Sequence, residues 1–148
     1  MIPKPLSQIT EAALTSLIEN KVQGRKDLDY KRDLPERNDD EQKREFLSDI
    51  SSFANTVGGD LIFGIYTPSG DGAPVSIPGA PTDSLEDAKL WIENVLRTGL
   101  QPRLTGNELQ AVPLTSGRAV LIIRIPEVGL ALNPWSLETM AISMREHR

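Results

Sequence analysis

The junction between residues 53 and 65 constrains the fold of this chain more than any other segment. It reads Phe-Ala-Asn-Thr-Val-Gly-Gly-Asp-Leu-Ile-Phe-Gly-Ile, an apolar helix end followed by a strongly apolar strand. Glycine ends a helix in the left-handed region without steric cost, and one glycine is enough for that purpose. The second glycine of the pair Gly58-Gly59, and Gly64 further along, therefore predict a backbone that is kept clear for close approach.

Hydrophobic periodicity predicts a single compact α/β (α+β) domain with elements in the order α-β-α-β-α-β-β. Helices are expected over residues 7–21, from Asp39 to Ala54, and after an N-cap at Ser84. Strands are expected over residues 28–32, 60–66, 107–114 and 118–125. The strand 60–66 is apolar almost throughout, which favours a central place in a mixed sheet with helices packed on it.

Composition removes several classes of chemistry. The chain has 148 residues, no cysteine and one histidine, His147, so disulfides, thiolate catalysis, Cys-ligated zinc and a Ser-His-Asp triad are excluded. No run reaches the roughly 18 apolar residues of a membrane span, and residues 1–5 lack the apolar core of a signal peptide. We therefore expect a cytoplasmic protein with no membrane partner.

Charge alone leaves nucleic-acid binding open. The net charge is −5, but phosphate contacts depend on a local patch and not on the sum. Residues 21–47 hold eight Lys/Arg and eight Asp/Glu, so this segment is charged without being basic. A polyanion-binding edge is predicted at Arg25, Lys26, Lys31 and Arg32.

The same segment supports an alternative of another class. In a strand, Asp27, Asp29 and Lys31 fall on one face, with Leu28 and Tyr30 on the other. Two carboxylates can hold Mg²⁺ or Mn²⁺ while an ammonium stabilises developing negative charge, as in a metal-dependent nuclease. Spacing alone favours a solvated strand face of alternating sign.

Two segments resemble the AlbA-like domain of the Schlafen type. Leu28-Asp29-Tyr30-Lys31 is similar to the family's Leu/Val-Glu-Phe-Lys segment, and residues 50–65 are similar to its Ala-Phe-Ala-Asn-Thr-x-Gly-Gly-x-Leu-x-Ile-Gly-Val segment. With the order of elements, the resemblance covers about residues 10–125. It implies a nucleic-acid-binding domain of the kind found in bacterial regulators and in Schlafen proteins. The family has also been labelled a divergent ATPase, but no ATP-site motif occurs in this chain.

Some members of that family cleave RNA with three acids, and this chain matches them poorly. Asp29 takes the place of the middle acid and would be the one metal ligand. The first position is occupied by Gly24-Arg25-Lys26, with Asp27 the nearest acid, and the third falls at Tyr66 or Thr67. The resemblance therefore implies a binder without a catalytic site or cofactor.

The function predicted from the sequence is DNA binding by a module of a bacterial-type transcriptional regulator. Arg25, Lys26, Lys31 and Arg32 would contact phosphates, with the Gly58-Gly59 turn nearby, since nests of backbone N–H groups bind anions. A protein-interaction module, or a homo-oligomer, remains a further alternative. Residues 7–126 are assigned to the domain.

Residues 127–148 depart from the family pattern and are predicted to be an atypical tail. Reading from the third base of each codon, residues 134–136 can encode Met-Val and residues 142–147 can encode Phe-Tyr-Ala-Arg-Thr. We hypothesise a frame-shifted or truncated end of a longer gene. Sequencing of the coding DNA tests this, and an uninterrupted frame that conserves these residues would contradict it.

Overall fold

The computed structural model describes residues 1–36, 38–68, 72–81, 83, 85–101, 104, 106–128 and 131–132. After a short 3₁₀ turn, Leu6–Gln8, the helices are α1 (Glu11–Glu19), α2 (Asp40–Ala54) and α3 (Leu85–Gly99). The strands are β1 (Leu28–Lys31), β2 (Gly59–Phe63), β3 (Leu100–Gln101), β4 (Glu108–Pro113), β5 (Ala119–Ile125) and β6 (Ala131–Leu132). The predicted α+β class is confirmed, and the predicted elements occur in the expected order, with the short strands β3 and β6 in addition to them.

The main sheet is mixed, as predicted. Its strand order is β1-β2-β5-β4, with β1 parallel to β2 and the remaining pairs antiparallel. The apolar strand β2 lies between β1 and β5, and all five of its residues are buried. The strands β3 and β6 form a separate antiparallel pair, which the sequence did not predict because two residues show no periodicity.

Each face of the main sheet has its own apolar core, because side chains alternate along a strand. One face is covered by α2 and α3, which bury residues of β2 and β5 that include Leu61, Phe63, Leu121, Ile123 and Ile125. The other face is covered by the N-terminal segment and α1, over Leu28, Tyr30, Ile62, Val120 and Ile122. The strand β1 forms one edge of this three-layer arrangement.

The helix α2 begins where the sequence predicts. The Asp39 side chain accepts a hydrogen bond from the Gln42 backbone N–H at 3.0 Å, which satisfies one of the free donors at the helix start. Phe46, Ile50 and Phe53 then recur at helical spacing and are all buried against the sheet. Within the described residues, no helix combines the length and apolar content needed to cross a membrane.

The glycine pair between α2 and β2 is explained by close backbone approach, as expected. Gly58 has a φ of +74°, and a Cβ there would lie 2.6 Å from the Ile125 carbonyl oxygen. A Cβ on Gly59 would lie 2.7 Å from the Asp27 carbonyl oxygen. The pair therefore allows the chain entering β1 and the end of β5 to approach the start of β2.

The N-terminal segment is fixed to the sheet by a buried ion pair that the sequence did not predict. Asp60 is fully buried on the face opposite α2, where it accepts hydrogen bonds from the backbone N–H of Ile2 and from Arg124. Arg124 also donates to the carbonyl oxygens of Ile2 and Lys4. Ile2 and Leu6 are consequently part of the core.

The domain bounds 7–126 stay a prediction. In the tail predicted at 127–148, the structure describes Glu127, Val128, Ala131 and Leu132, and the Val128 N–H donates to the Ala54 carbonyl oxygen at 2.7 Å. The positions on which the frame-shift hypothesis depends lie outside the described residues.

Candidate nucleic-acid interface

The predicted basic residues lie at the two ends of the edge strand β1. Arg25 and Leu28 exchange backbone hydrogen bonds of 2.7 and 3.1 Å, so the chain makes a tight turn before β1, with Lys26 in that turn. Lys31 ends the strand and Arg32 follows it. The strand therefore separates the four cations into two pairs.

Tyr30 belongs to the core between these pairs. Its ring is 6% exposed, and its hydroxyl donates to the Val22 carbonyl oxygen at 2.7 Å. Burial raises the pKa of Tyr30 to about 12. Trp91 likewise packs against the core, with its ring stacked on Phe46. Both aromatic side chains stabilise the fold.

At the first end of β1, Asp27 partly neutralises Arg25. The Arg25 Nε atom lies 2.7 Å from Asp27 Oδ1, and the Met1 ammonium lies 2.5 Å from Oδ2. Burial pushes the pKa of Asp27 up, but hydrogen bonds from the ammonium and from Arg25, with their charges, hold it below its ordinary value. The described contacts of Asp27 are thus with these two cations. Lys26 is exposed and has no ion-pair partner among the described residues.

At the other end of β1, Lys31 links two carboxylates. Its Nζ atom lies 3.4 Å from Asp29 Oδ2 and 3.4 Å from Asp49 Oδ2. Burial tends to lower the pKa of Lys31, but the two carboxylates outweigh it and the pKa is raised. The structure therefore brings Asp29 and Lys31 together as the strand alternation predicts.

Asp49 is the member of this cluster that sequence reasoning missed. It lies on α2 three residues after the buried Phe46, which places it at the border of the apolar face. The border position could have indicated that Asp49 lies close to the sheet. It does not indicate which strand the side chain faces, because that depends on how α2 packs. Burial, with smaller contributions from Asp29 and Glu45, raises the pKa of Asp49, although Lys31 acts in the opposite direction.

An open cleft of about 320 Å³ lies beside the cluster. Lys31, Glu45 and Asp49 line its polar side, and Phe46 and Phe63 line its apolar side. Across the residues that the structure describes, no group of three or more His, Cys, Asp or Glu side chains is arranged to hold a metal ion.

Arg32 and Tyr66 meet at the same end of the sheet, because β1 and β2 are parallel and each residue follows its strand. The Arg32 guanidinium lies over the Tyr66 ring, 5.5 Å from its centroid. Both side chains are exposed, and Tyr66 retains 39% of its accessible surface. A tyrosine in a cation–π contact thus stands at the position compared above with the third acid of the nucleases.

The predicted Gly58 and Gly59 are both buried. The Gly58 N–H donates to the Phe53 carbonyl oxygen at 2.8 Å, so this amide already has a partner within the fold. A phosphate contact at this turn stays a prediction.

The mixed sheet between two layers defines this protein as a small α+β domain. Residues 25–137 match the family model described as Schlafen, AlbA_2, and the chain belongs to that family. No curated protein matches the chain at a significant level.

Solved structures show the same fold. Among 19 solved chains that match is the N-terminal domain of a RecG-related protein from Nitrosomonas europaea, determined by NMR in solution. The TM-score is 0.55 at 21% sequence identity, and the match covers 76% of this chain and 72% of that chain. At this identity the likeness shows the fold alone.

Proposed function

We propose that this domain binds DNA, without cleaving it, through the edge of the sheet formed by β1. The observation that carries the proposal is the pair of exposed cations, Lys26 and Arg32, that flank β1 in a Schlafen AlbA_2 domain. DNA is favoured because the solved relative is named as related to the ATP-dependent DNA helicase RecG. Such a module would deliver a larger regulator to DNA.

The four predicted cations are not equivalent in this proposal. Arg25 faces Asp27, and Lys31 faces both Asp29 and Asp49, so a phosphate would compete with carboxylates for them. Among the described residues, Lys26 and Arg32 have no carboxylate partner and are open to solvent. They should therefore contribute most of the phosphate contacts, and Arg25 and Lys31 less.

The position compared with the third acid supports binding without cleavage, although Asp29, Asp49 and Lys31 together supply the two carboxylates and the ammonium of the nuclease alternative. The two carboxylates of the Lys31 cluster, Asp29 and Asp49, share one ammonium. Tyr66 and Thr67, at the place of a third acid, offer no carboxylate. The nuclease alternative is therefore the less supported function, and the cleavage assay in the Discussion tests it.

The test is a salt titration of binding. Fluorescence anisotropy with a labelled duplex gives the slope of log K against log salt, which is about −0.9 per phosphate contact. The double substitution Lys26→Ala, Arg32→Ala should weaken binding and reduce the magnitude of the slope by roughly 1.8. Arg97→Ala, which removes one exposed charge from α3, is the control and should leave the slope nearly unchanged.

Two results would contradict the proposal. An unchanged slope in the double variant would exclude Lys26 and Arg32 as phosphate contacts. Absence of binding to any nucleic acid at low salt would exclude the function itself and favour a protein-interaction module, as the net charge of −5 allows.

A further inference from the structure

The cation–π pair of Arg32 and Tyr66 remains exposed to solvent. Among the residues that the structure describes, Tyr66 is one of four large hydrophobic side chains that remain exposed, and Val75, with 51% of its surface accessible, is another. The two lie on paired backbone, because the Val75 N–H donates to the Tyr66 carbonyl oxygen at 3.0 Å. The Tyr66 N–H in turn donates to the Ser76 carbonyl oxygen at 3.0 Å, which holds the tyrosine in place.

A second cavity lies on the side of α1, and Val75 is one of its lining residues. It has a volume of about 470 Å³ and is lined by Ile18, Lys21, Gln23, Ala73, Pro74 and Val75. The segment that carries Val75 is tied to the turn before β1 by a hydrogen bond from the Gly24 N–H to the Gly72 carbonyl oxygen at 3.0 Å. Val75 therefore borders this cavity, and its backbone is paired with that of Tyr66.

This combination of groups fits an unpaired nucleobase. Aromatic rings and guanidinium planes stack on the flat face of a base, which is exposed when the base is unpaired and covered by its neighbours within a duplex. The Arg32 guanidinium, which lies over the Tyr66 ring, also supplies a positive charge for a flanking phosphate. Tyr66 lies three residues after β2, and its backbone is held by hydrogen bonds to residues 75 and 76, so little ordering of the backbone is required on binding.

We propose that Arg32 and Tyr66 form a stacking platform for one unpaired base, and that the domain selects single-stranded over double-stranded DNA. The inference rests on the proposed function and names the strand type that the same edge of the sheet recognises. Lys26 contacts phosphate in either type of strand, whereas the Tyr66 ring contributes to binding of single strands alone.

The test compares labelled dT12 with a 12-base-pair duplex in anisotropy titrations at the same low salt. Wild-type protein should bind dT12 more tightly than the duplex. Tyr66→Ala should weaken dT12 binding by at least about fivefold, the lower end of the stacking contribution of one base. Binding of the duplex should change less than twofold. Tyr66→Phe keeps the ring and should retain wild-type binding of dT12.

Two controls separate stacking from loss of structure. Leu90→Ala removes another exposed apolar side chain, on α3, and should leave both affinities unchanged. Thermal unfolding of Tyr66→Ala, followed by circular dichroism, should resemble that of Tyr66→Phe. A matching rU12 probe tests the sugar, and tighter binding of rU12 than of dT12 would overturn the assignment to DNA.

The outcomes distinguish this inference from the function on which it rests. Binding of dT12 that survives Tyr66→Ala, or a preference for the duplex, would overturn the stacking platform and leave DNA binding standing. Absence of binding to dT12, rU12 and duplex would overturn both.

Discussion

Asp60 and Arg124 face each other across β2 and β5 and make a two-point ion pair. Arg124 Nε lies 2.8 Å from Asp60 Oδ1, and Arg124 Nη2 lies 3.0 Å from Oδ2. Asp60 has no exposed surface and Arg124 retains 14%, so the pair lies in the interior at the face that the N-terminal segment covers. Asp60 also accepts a hydrogen bond from the Ile2 N–H, and Arg124 donates one to the Ile2 carbonyl oxygen. The ion pair therefore connects the N-terminal segment to the sheet.

Removal of one partner should destabilise the domain strongly. Asp60→Ala leaves the Arg124 guanidinium buried without its carboxylate and the Ile2 N–H without its acceptor. The expected loss is about 3–5 kcal/mol in the free energy of unfolding, measured by urea denaturation. Lys89→Ala breaks the exposed pair with Glu86 and should cost less than about 1 kcal/mol. Equal losses in the two variants would contradict a structural role for the buried pair.

Gly59 should tolerate no side chain. A Cβ there would lie 2.7 Å from the Asp27 carbonyl oxygen and 2.9 Å from the Asp27 Cα, so Gly59→Ala must separate β1 from β2. We expect a loss of about 1–3 kcal/mol in stability. Gly24→Ala is the matched control, since its Cβ would meet only the Leu28 carbonyl oxygen at 3.4 Å. Similar unfolding midpoints for the two variants would show that the close approach is not required.

The carboxyl group of Asp49 should titrate above its ordinary pKa of 3.8, because burial disfavours its charged form. Lys31 opposes this effect, so Lys31→Met should raise the pKa of Asp49 further, whereas Glu45→Gln should lower it. Carbon-13 NMR of the side-chain carboxyl group against pH measures both changes. A lower pKa in Lys31→Met would show that the 3.4 Å contact between Lys31 and Asp49 does not persist in solution.

The same shift has a consequence for stability. Because the folded-state pKa of Asp49 is raised, the folded state binds more protons than the unfolded state between 3.8 and that pKa. The contribution of Asp49 to the free energy of unfolding therefore falls as pH rises through this interval. Relative to Asp49→Asn, the wild type should lose stability over that interval, as measured by urea denaturation at successive pH values.

The sequence was sufficient for features whose signals are local. Phe46, Ile50 and Phe53 recur at helical spacing after the Asp39 cap, and the structure buries all three on α2. The close approach at Gly58-Gly59 was likewise predicted, because one glycine is enough to end the helix and the second must have another role.

The features that were missed depend on distant parts of the chain. Asp60 and Arg124 are 64 residues apart, and only the register of β2 against β5 makes them neighbours. Asp49 resembles any polar residue of α2 until the helix packs against β1. The exposure of Tyr66 was missed for a similar reason, because it depends on the course of the loop after β2.

The acids of the Lys31 cluster should not cleave RNA. In the described residues, Asp29 and Asp49 both contact the Lys31 ammonium, and no third ligating side chain joins them in a group that could hold a metal. Incubation of labelled RNA with the protein and Mn²⁺ should leave the RNA intact, resolved on a denaturing gel. The variants Asp29→Asn and Asp49→Asn should give the same result as the wild type.

The variants Asp29→Asn and Asp49→Asn distinguish cleavage by this protein from cleavage by a contaminating nuclease. Mn²⁺-dependent cleavage by the wild type that is lost in both Asp29→Asn and Asp49→Asn would establish a nuclease and refute the non-catalytic proposal. Cleavage that persists in both variants would point to a contaminating nuclease, since neither carboxylate would then be required.

Asp27→Asn is a useful third variant, because the described contacts of Asp27 are with Arg25 and Met1 at the opposite end of β1. Loss of cleavage in that variant as well would place the catalytic acids along the whole strand.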